Sequence, residues 1–85
     1  LEWGLVNRVA SAGTLEAATS ELLEKILVCA PTAIRLQKEL MIRWRNTDLA
    51  SATRYGINAF AQNYAAGEAR EGALAFLEKR KAKFQ

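Results

Sequence analysis

The apolar residues fall into four runs, each with the three- and four-residue step of a helix that buries one face. In the first run Leu15, Ala18, Leu22, Ile26 and Cys29 share a side. Thr14 stands where an N-cap would, and Glu16 lies in the first turn, where the helix dipole favours a carboxylate. The pattern predicts a first helix with a buried face and Cys29 as core filler. Pro31 ends the run and suits the first position of the next helix, since the N–H it lacks would find no intrahelical partner there. Ala33, Leu36, Leu40 and Trp44 then form one stripe, and Ile34 and Met41 a second, rotated one. A helix apolar on two sides touches two partners.

Asn46, Thr47 and Asp48 supply capping residues for a third helix, along which Leu49, Ala52, Gly56, Ala59, Phe60 and Asn63 share a side. The small residues there would let another helix approach closely. Gly67 suits the stop. A fourth helix is predicted from about Glu68 to Lys81, with Gly72, Ala73, Phe76 and Leu77 turned inward. Ahead of all four, Gly4–Val9 is short, alternating and partly β-branched, so it reads as an extended lead-in closed by a turn at Ser11-Ala12-Gly13. The predicted fold class is all-α: a short extended lead-in followed by about four helices.

Composition changes this picture in one respect. A chain of 85 residues buries only a modest core, yet 51% of it is hydrophobic, so part of that surface is expected to meet a partner. No run reaches the ~18 apolar residues of a membrane span, and no membrane partner is expected. The chain begins at Leu1 and its methionine is Met41, whereas an open reading frame normally starts with Met. Leu1–Ala12 carries Glu2, Asn7 and Arg8 and lacks the apolar run of a secretory signal. The single Cys29 has no intrachain partner for a disulfide, which points to a reducing compartment, the cytoplasm or an organelle matrix.

Charge is unevenly placed. Residues 1–30 hold two basic and four acidic side chains, whereas residues 31–85 hold ten basic and five acidic ones. Lys79, Arg80, Lys81 and Lys83 crowd the end of the chain. That asymmetry suits a phosphate-bearing or acidic partner, or simply a solvated helix end that complements its dipole. With no histidine and one cysteine, the usual metal sets and the Ser-His-Asp or Cys-His catalytic sets are excluded. The five glycines are scattered and form no phosphate cradle. The glutamates lie at helix starts or beside basic neighbours, positions that do not promise the burial a tuned carboxylate needs. No catalytic residue and no metal ligand is therefore expected in this chain.

Phe76 and Lys79 are three apart, so on a helix they would share a face. A ring beside an ammonium can stack on a purine while a phosphate pairs with the cation. By itself the same spacing reads as a core ring beside a solvated charge.

Two stretches carry a resemblance. Trp3-Gly4-Leu5-Val6-Asn7-Arg8-Val9 resembles the Gly-Leu-Val-x-x-Val segment that follows the spiral core of the crotonase (enoyl-CoA hydratase/isomerase) superfamily. Arg70-Glu71-Gly72-Ala73-Leu74-Ala75-Phe76-Leu77-Glu78-Lys79-Arg80 closely resembles the family's C-terminal signature, Glu-Gly-x-x-Ala-Phe-x-Glu-Lys-Arg, with Phe84 as the aromatic near the end. Pro31 and Lys38 keep the family's spacing between them. The resemblance implies that residues 1–85 are the C-terminal helical part of a crotonase fold, an oligomerisation (trimerisation) and CoA-covering segment, with the catalytic spiral domain upstream of Leu1. It implies a parent enzyme that adds water to the 2,3 double bond of an enoyl-CoA through two glutamates in that upstream domain, the fragment alone being inactive. An isomerase, dehydratase or acyl-CoA hydrolase of the same family is the alternative. It implies no tightly bound cofactor, a coenzyme A thioester as substrate, and as further partners the parent's own N-terminal spiral domain and its other copies in a trimer or hexamer. Phe76 and Lys79 match the positions that approach the adenine and phosphate end of CoA. Outside the family, a pI near 9.4 would suit a small basic helical interaction or nucleic-acid-binding module. Against it, residues 1–30 are net acidic and no helix carries a continuous Arg/Lys stripe, so no nucleic-acid partner is expected.

Overall fold

The computed structural model describes residues 1–84 and holds four helices: α1 (Leu15–Leu27), α2 (Pro31–Trp44), α3 (Leu49–Ala65) and α4 (Glu68–Leu77). There is no strand among the described residues. The lead-in opens with a turn in which the Gly4 N–H bonds to the Leu1 carbonyl at 2.9 Å. It then crosses α1 without regular structure, tied there by Arg8, which pairs with Glu21 at 3.2 Å. The expected turn at residues 11–13 is present, with Gly13 at φ +82° and the Thr14 N–H bonded to the Ser11 carbonyl.

Three helix boundaries follow from local chemistry. Pro31 is the first residue of α2, as its ring requires. Asp48 caps α3, its carboxylate accepting the Ser51 N–H at 2.9 Å, and that bond holds its carboxyl below the ordinary range. Gly67 takes φ +84° just past α3, a conformation glycine adopts without a Cβ clash, and the chain reverses there directly into α4. Thr14 precedes α1 as expected but does not cap it. Its hydroxyl donates to the Ser11 carbonyl at 2.8 Å, so the turn before the helix takes the group that would have capped it.

Helix α2 packs on α3, and α3 on α4, while α1 stands apart. Leu36 and Leu40 of α2 and Ala75 of α4 form the apolar core. Across from them α3 presents Ala52, Gly56, Ala59 and Asn63, all partly buried. Trp44 lies over this small-residue face, and its indole N–H donates to the Ala52 carbonyl at 3.1 Å. The rotated stripe of α2, Ile34 and Met41, is exposed, so the helix has one covered and one uncovered apolar side.

Several expected inner positions face outward instead. No residue of α1 is buried, and Leu15, Ile26 and Cys29 are exposed, because no other helix of this chain lies against that face. Leu49 and Phe60 of α3 are exposed as well. In α4 the inner line is Glu68, Gly72 and Ala75, which turns Phe76 and Leu77 to the outside. The radius of gyration is 16.5 Å, against about 12 Å for a compact domain of this length. The array is flat, 44 × 39 × 18 Å, and much of its apolar surface lies open.

At Gly56 an added Cβ would stand 3.8 Å from the Trp44 ring, an ordinary contact. Gly56→Ala should therefore stabilise the chain by up to about 1 kcal/mol through helix propensity, whereas Gly56→Leu should cost about 1–3 kcal/mol by overpacking. Urea unfolding followed by circular dichroism reads both; the opposite order would contradict the packing of Trp44 on α3.

Candidate functional site

Two carboxylates on the first turns of α4 organise the polar chemistry of the chain. Glu68 is 8% exposed, and its two oxygens accept the N–H groups of Thr32 at 2.9 Å and Ala33 at 3.0 Å. These are among the orphan donors at the start of α2, where the N-cap is Ala30 and has no side chain able to serve them. Burial pushes the Glu68 carboxyl up, but the two N–H groups and the Arg35 charge outweigh it and leave it below the ordinary range. Burial at this position departs from the expectation that the acids would be solvated. Both oxygens are occupied by backbone donors, so Glu68 joins helices and is not placed for acid–base work.

Glu71 governs the end of the chain. Its carboxylate takes the Arg80 guanidinium fork at 2.6 and 3.1 Å and the Lys83 N–H at 2.7 Å. The same guanidinium bonds Glu78 through Nε and the Lys81 carbonyl through Nη1. The Arg80 fork, then the Lys83 N–H, hold the Glu71 carboxyl at about 2, well below the usual 4.5.

This clamp closes over a helix end that comes four residues earlier than expected. Helix α4 stops at Leu77 rather than near Lys81. Beyond it the Arg80 N–H bonds to the Ala75 carbonyl at 3.0 Å and the Lys79 N–H to the Phe76 carbonyl at 3.2 Å. That pair of bonds is a Schellman motif, which requires a left-handed residue, most often glycine. Here the residue is Lys79, at φ 51°, a conformation that costs an L-residue about 1–2 kcal/mol. Lys79 therefore does not project from the helix beside Phe76. The two are joined through the turn instead, with Phe76 83% exposed on the last helical turn.

Past the turn, residues 81–84 run back toward the junction of α1 and α2. Between them lies an open groove of about 870 Å³, walled by Ile26, Leu27, Ile34 and Phe84 and lined also by Lys81 and Lys83. Lys79, Lys81 and Lys83 make no ion pair among the described residues, whereas Arg80 is paired with Glu71 and Glu78 and bonds the Lys81 carbonyl. No group of three potential metal ligands occurs among the described residues, and no helix among them is long and apolar enough to cross a membrane.

A sequence model of the family described as Enoyl-CoA hydratase/isomerase matches residues 1–85. The chain belongs to the enoyl-CoA hydratase/isomerase family. It is 32% identical over 81 residues to the short-chain-enoyl-CoA hydratase of Clostridium acetobutylicum, covering 95% of this chain and 31% of that protein. It is 36% identical over 84 residues to the carnitinyl-CoA dehydratase of Escherichia coli K12, covering 94% and 32%. A crystal structure of an enoyl-CoA hydratase from Polaromonas sp. JS666 superposes with a TM-score of 0.93 at 30% identity, covering 99% of this chain and 33% of that one. The chain thus spans about a third of the length of these enoyl-CoA hydratase/isomerase relatives.

Three of the residues that organise the site, Glu68, Glu71 and Arg80, were not read in these roles from the sequence. Glu68 had a signal: a helix starting Ala30-Pro31 with no capping side chain must find its cap elsewhere. Glu71 and Arg80 had none at helical spacing, since nine residues separate them and they meet only because α4 ends and the chain reverses.

Lys79→Gly should raise stability by about 1 kcal/mol, since glycine enters the left-handed position without strain; a loss in urea unfolding would contradict the strain at Lys79. Because the folded Glu71 carboxyl lies below its ordinary value, the clamp's stabilisation is complete above pH 4.5 and is lost as pH falls toward 2. Carbon-13 titration of the Glu71 side chain should find its midpoint near 2; a midpoint near 4.5 would mean the clamp is open.

Proposed function

We propose that this chain is the C-terminal helical segment of an enoyl-CoA hydratase, and that its last turn holds the adenine and phosphate end of the CoA thioester. The observation that carries the reading is an exposed ring, Phe76, on the last turn of α4, followed by Lys79 in a left-handed turn. A ring left out of the core can stack on a purine, and a cation one turn away can pair with its phosphates. Strain retained at a lysine where glycine would fit is what a functional side chain at that position would demand.

The chemical step belongs to the parent's N-terminal spiral domain, upstream of this segment. Two glutamates there would deliver water across the 2,3 double bond while backbone N–H groups stabilise the thioester enolate. The segment contributes no catalytic side chain and no metal ligand, and the substrate thioester is the only coenzyme. The exposed faces of α1 and of the outer side of α2 would then be covered by the spiral domain and by neighbouring copies in a trimer or hexamer. A carnitinyl-CoA dehydratase is among the relatives, so dehydration, the reverse direction of the same chemistry, is the second reading.

Full-length parent protein should rapidly and saturably consume the conjugated enoyl thioester of crotonyl-CoA, followed by its ultraviolet absorbance. No consumption despite tight CoA binding would move the reaction to another member of the family. In the same protein Lys79→Gln should weaken CoA binding by about tenfold at low salt and less at high salt, as expected for loss of a charge–phosphate pair. An unchanged affinity would remove Lys79 from the site.

A further inference from the structure

The four basic residues at the end of the chain are alike in sequence but not in the structure. Lys79, Lys81 and Lys83 make no ion pair among the described residues, while Arg80 spends its guanidinium on Glu71, Glu78 and the Lys81 carbonyl. Those bonds span the turn from both sides. Glu71 sits on α4, before the reversal, and through one carboxylate it grips both Arg80 and the Lys83 backbone beyond it. Lys79 lies inside the loop so closed, in the conformation that an unrestrained lysine avoids. The Glu71 side chain is 24% exposed and that of Arg80 36%, so the pair is partly screened from water and the fork is set at both of its nitrogens.

We propose that the Glu71–Arg80 clamp is a positioning device for nucleotide binding: it holds the reversal that sets Lys79 in its left-handed position just past Phe76 in the chain, and Arg80 is not itself a phosphate ligand. The inference rests on Lys79 being the phosphate-binding residue. An open clamp frees the chain past Leu77 to extend α4 or fray. Either change takes Lys79 out of the left-handed position that the Schellman bonds at Ala75 and Phe76 define. Four of the five N–H donors of Arg80 are committed to Glu71, Glu78 and the Lys81 carbonyl, and both nitrogens of the fork are held by Glu71, so a phosphate could not take the fork without breaking the bonds that set the turn. The basic run therefore divides into one structural arginine and the lysines around it.

The test is a double-mutant cycle in the full-length parent, read as affinity for adenosine 3′,5′-bisphosphate, which carries the adenine and phosphates without an acyl chain. Glu71→Gln and Lys79→Gln should each weaken binding by about tenfold, and the double variant should lose no more than about twofold beyond Lys79→Gln alone, because both act through one contact. Arg80→Lys keeps the charge but not the fork, and should show a smaller loss that also vanishes in the Lys79→Gln background. It serves in place of Glu71→Gln if that variant fails to fold. Asp48→Ala, which loosens the far end of α3, should lower the melting temperature and leave this affinity unchanged, separating positioning from general destabilisation. Additive losses in the double variant would overturn the proposal, as would wild-type affinity in Glu71→Gln alongside a weakened Lys79→Gln. Wild-type affinity in Lys79→Gln would overturn the reading on which it rests, and the proposal with it.

Discussion

Glu68 reaches back 36 and 35 positions along the chain to take the first two N–H groups that α2 has to offer. The bond matters more than its size suggests because of what meets there. The N-termini of α2 and α4 converge on one carboxylate, and each carries the partial positive charge of its helix dipole. Two such ends brought together would repel; a buried anion between them reverses the sign of that interaction. It also completes the capping of a helix that begins Ala30-Pro31 and cannot cap itself. The direction of α4 is set at this point, since Gly67 allows the chain to turn but does not choose where the next helix points.

What lies downstream inherits that direction. From Glu68 the inner line of α4 continues through Gly72 to Ala75, small residues that let the helix lie close to its neighbours. Because that line is narrow, Phe76 falls on the outside. Ten residues of helix carry the chain about 15 Å from the anchor. There the second carboxylate, Glu71, fixes the reversal that places Lys79. The two glutamates thus act in series: one orients the helix and the other sets the geometry of its end. Neither has oxygens left over for proton transfer, which fits a segment whose acids are committed to architecture.

The helices themselves were legible in the sequence. Pro31, Asp48 and Gly67 each impose a local conformation that no tertiary partner needs to supply, and each marks a boundary where expected. The C-terminal signature, too, is a local string, and the Glu-Gly…Phe…Lys-Arg pattern of residues 71–80 carried the family resemblance. The end of α4 was not legible. Continuous good helix formers from Leu74 to Lys83 argue for a longer helix, and only the pairing of Glu71 with Arg80 and the Lys83 backbone decides otherwise. Nothing local marks Lys79 as left-handed. The need of α2 for an outside cap was legible at Ala30-Pro31, but not that Glu68 supplies it, because 35 and 36 positions separate it from the N–H groups it takes.

Periodicity also misplaced the core, and the error has a physical meaning. The stripe on α1 from Leu15 to Cys29 has the right spacing for a buried face, yet no described part of this chain covers it. A hydrophobic stripe records selection for burial in whatever assembly the helix occupies, not for burial by its own neighbours in sequence. An expanded, flat array with three small or medium apolar residues at its centre cannot account for apolar residues spread over four helices. Within the chain, then, the polar bonds of Glu68, Glu71 and Trp44 do much of the work of orientation. The apolar surface they arrange, on α1 and on the outer side of α2, lies uncovered within this chain, and the exposed Phe76 stands apart from both beside the turn that holds Lys79.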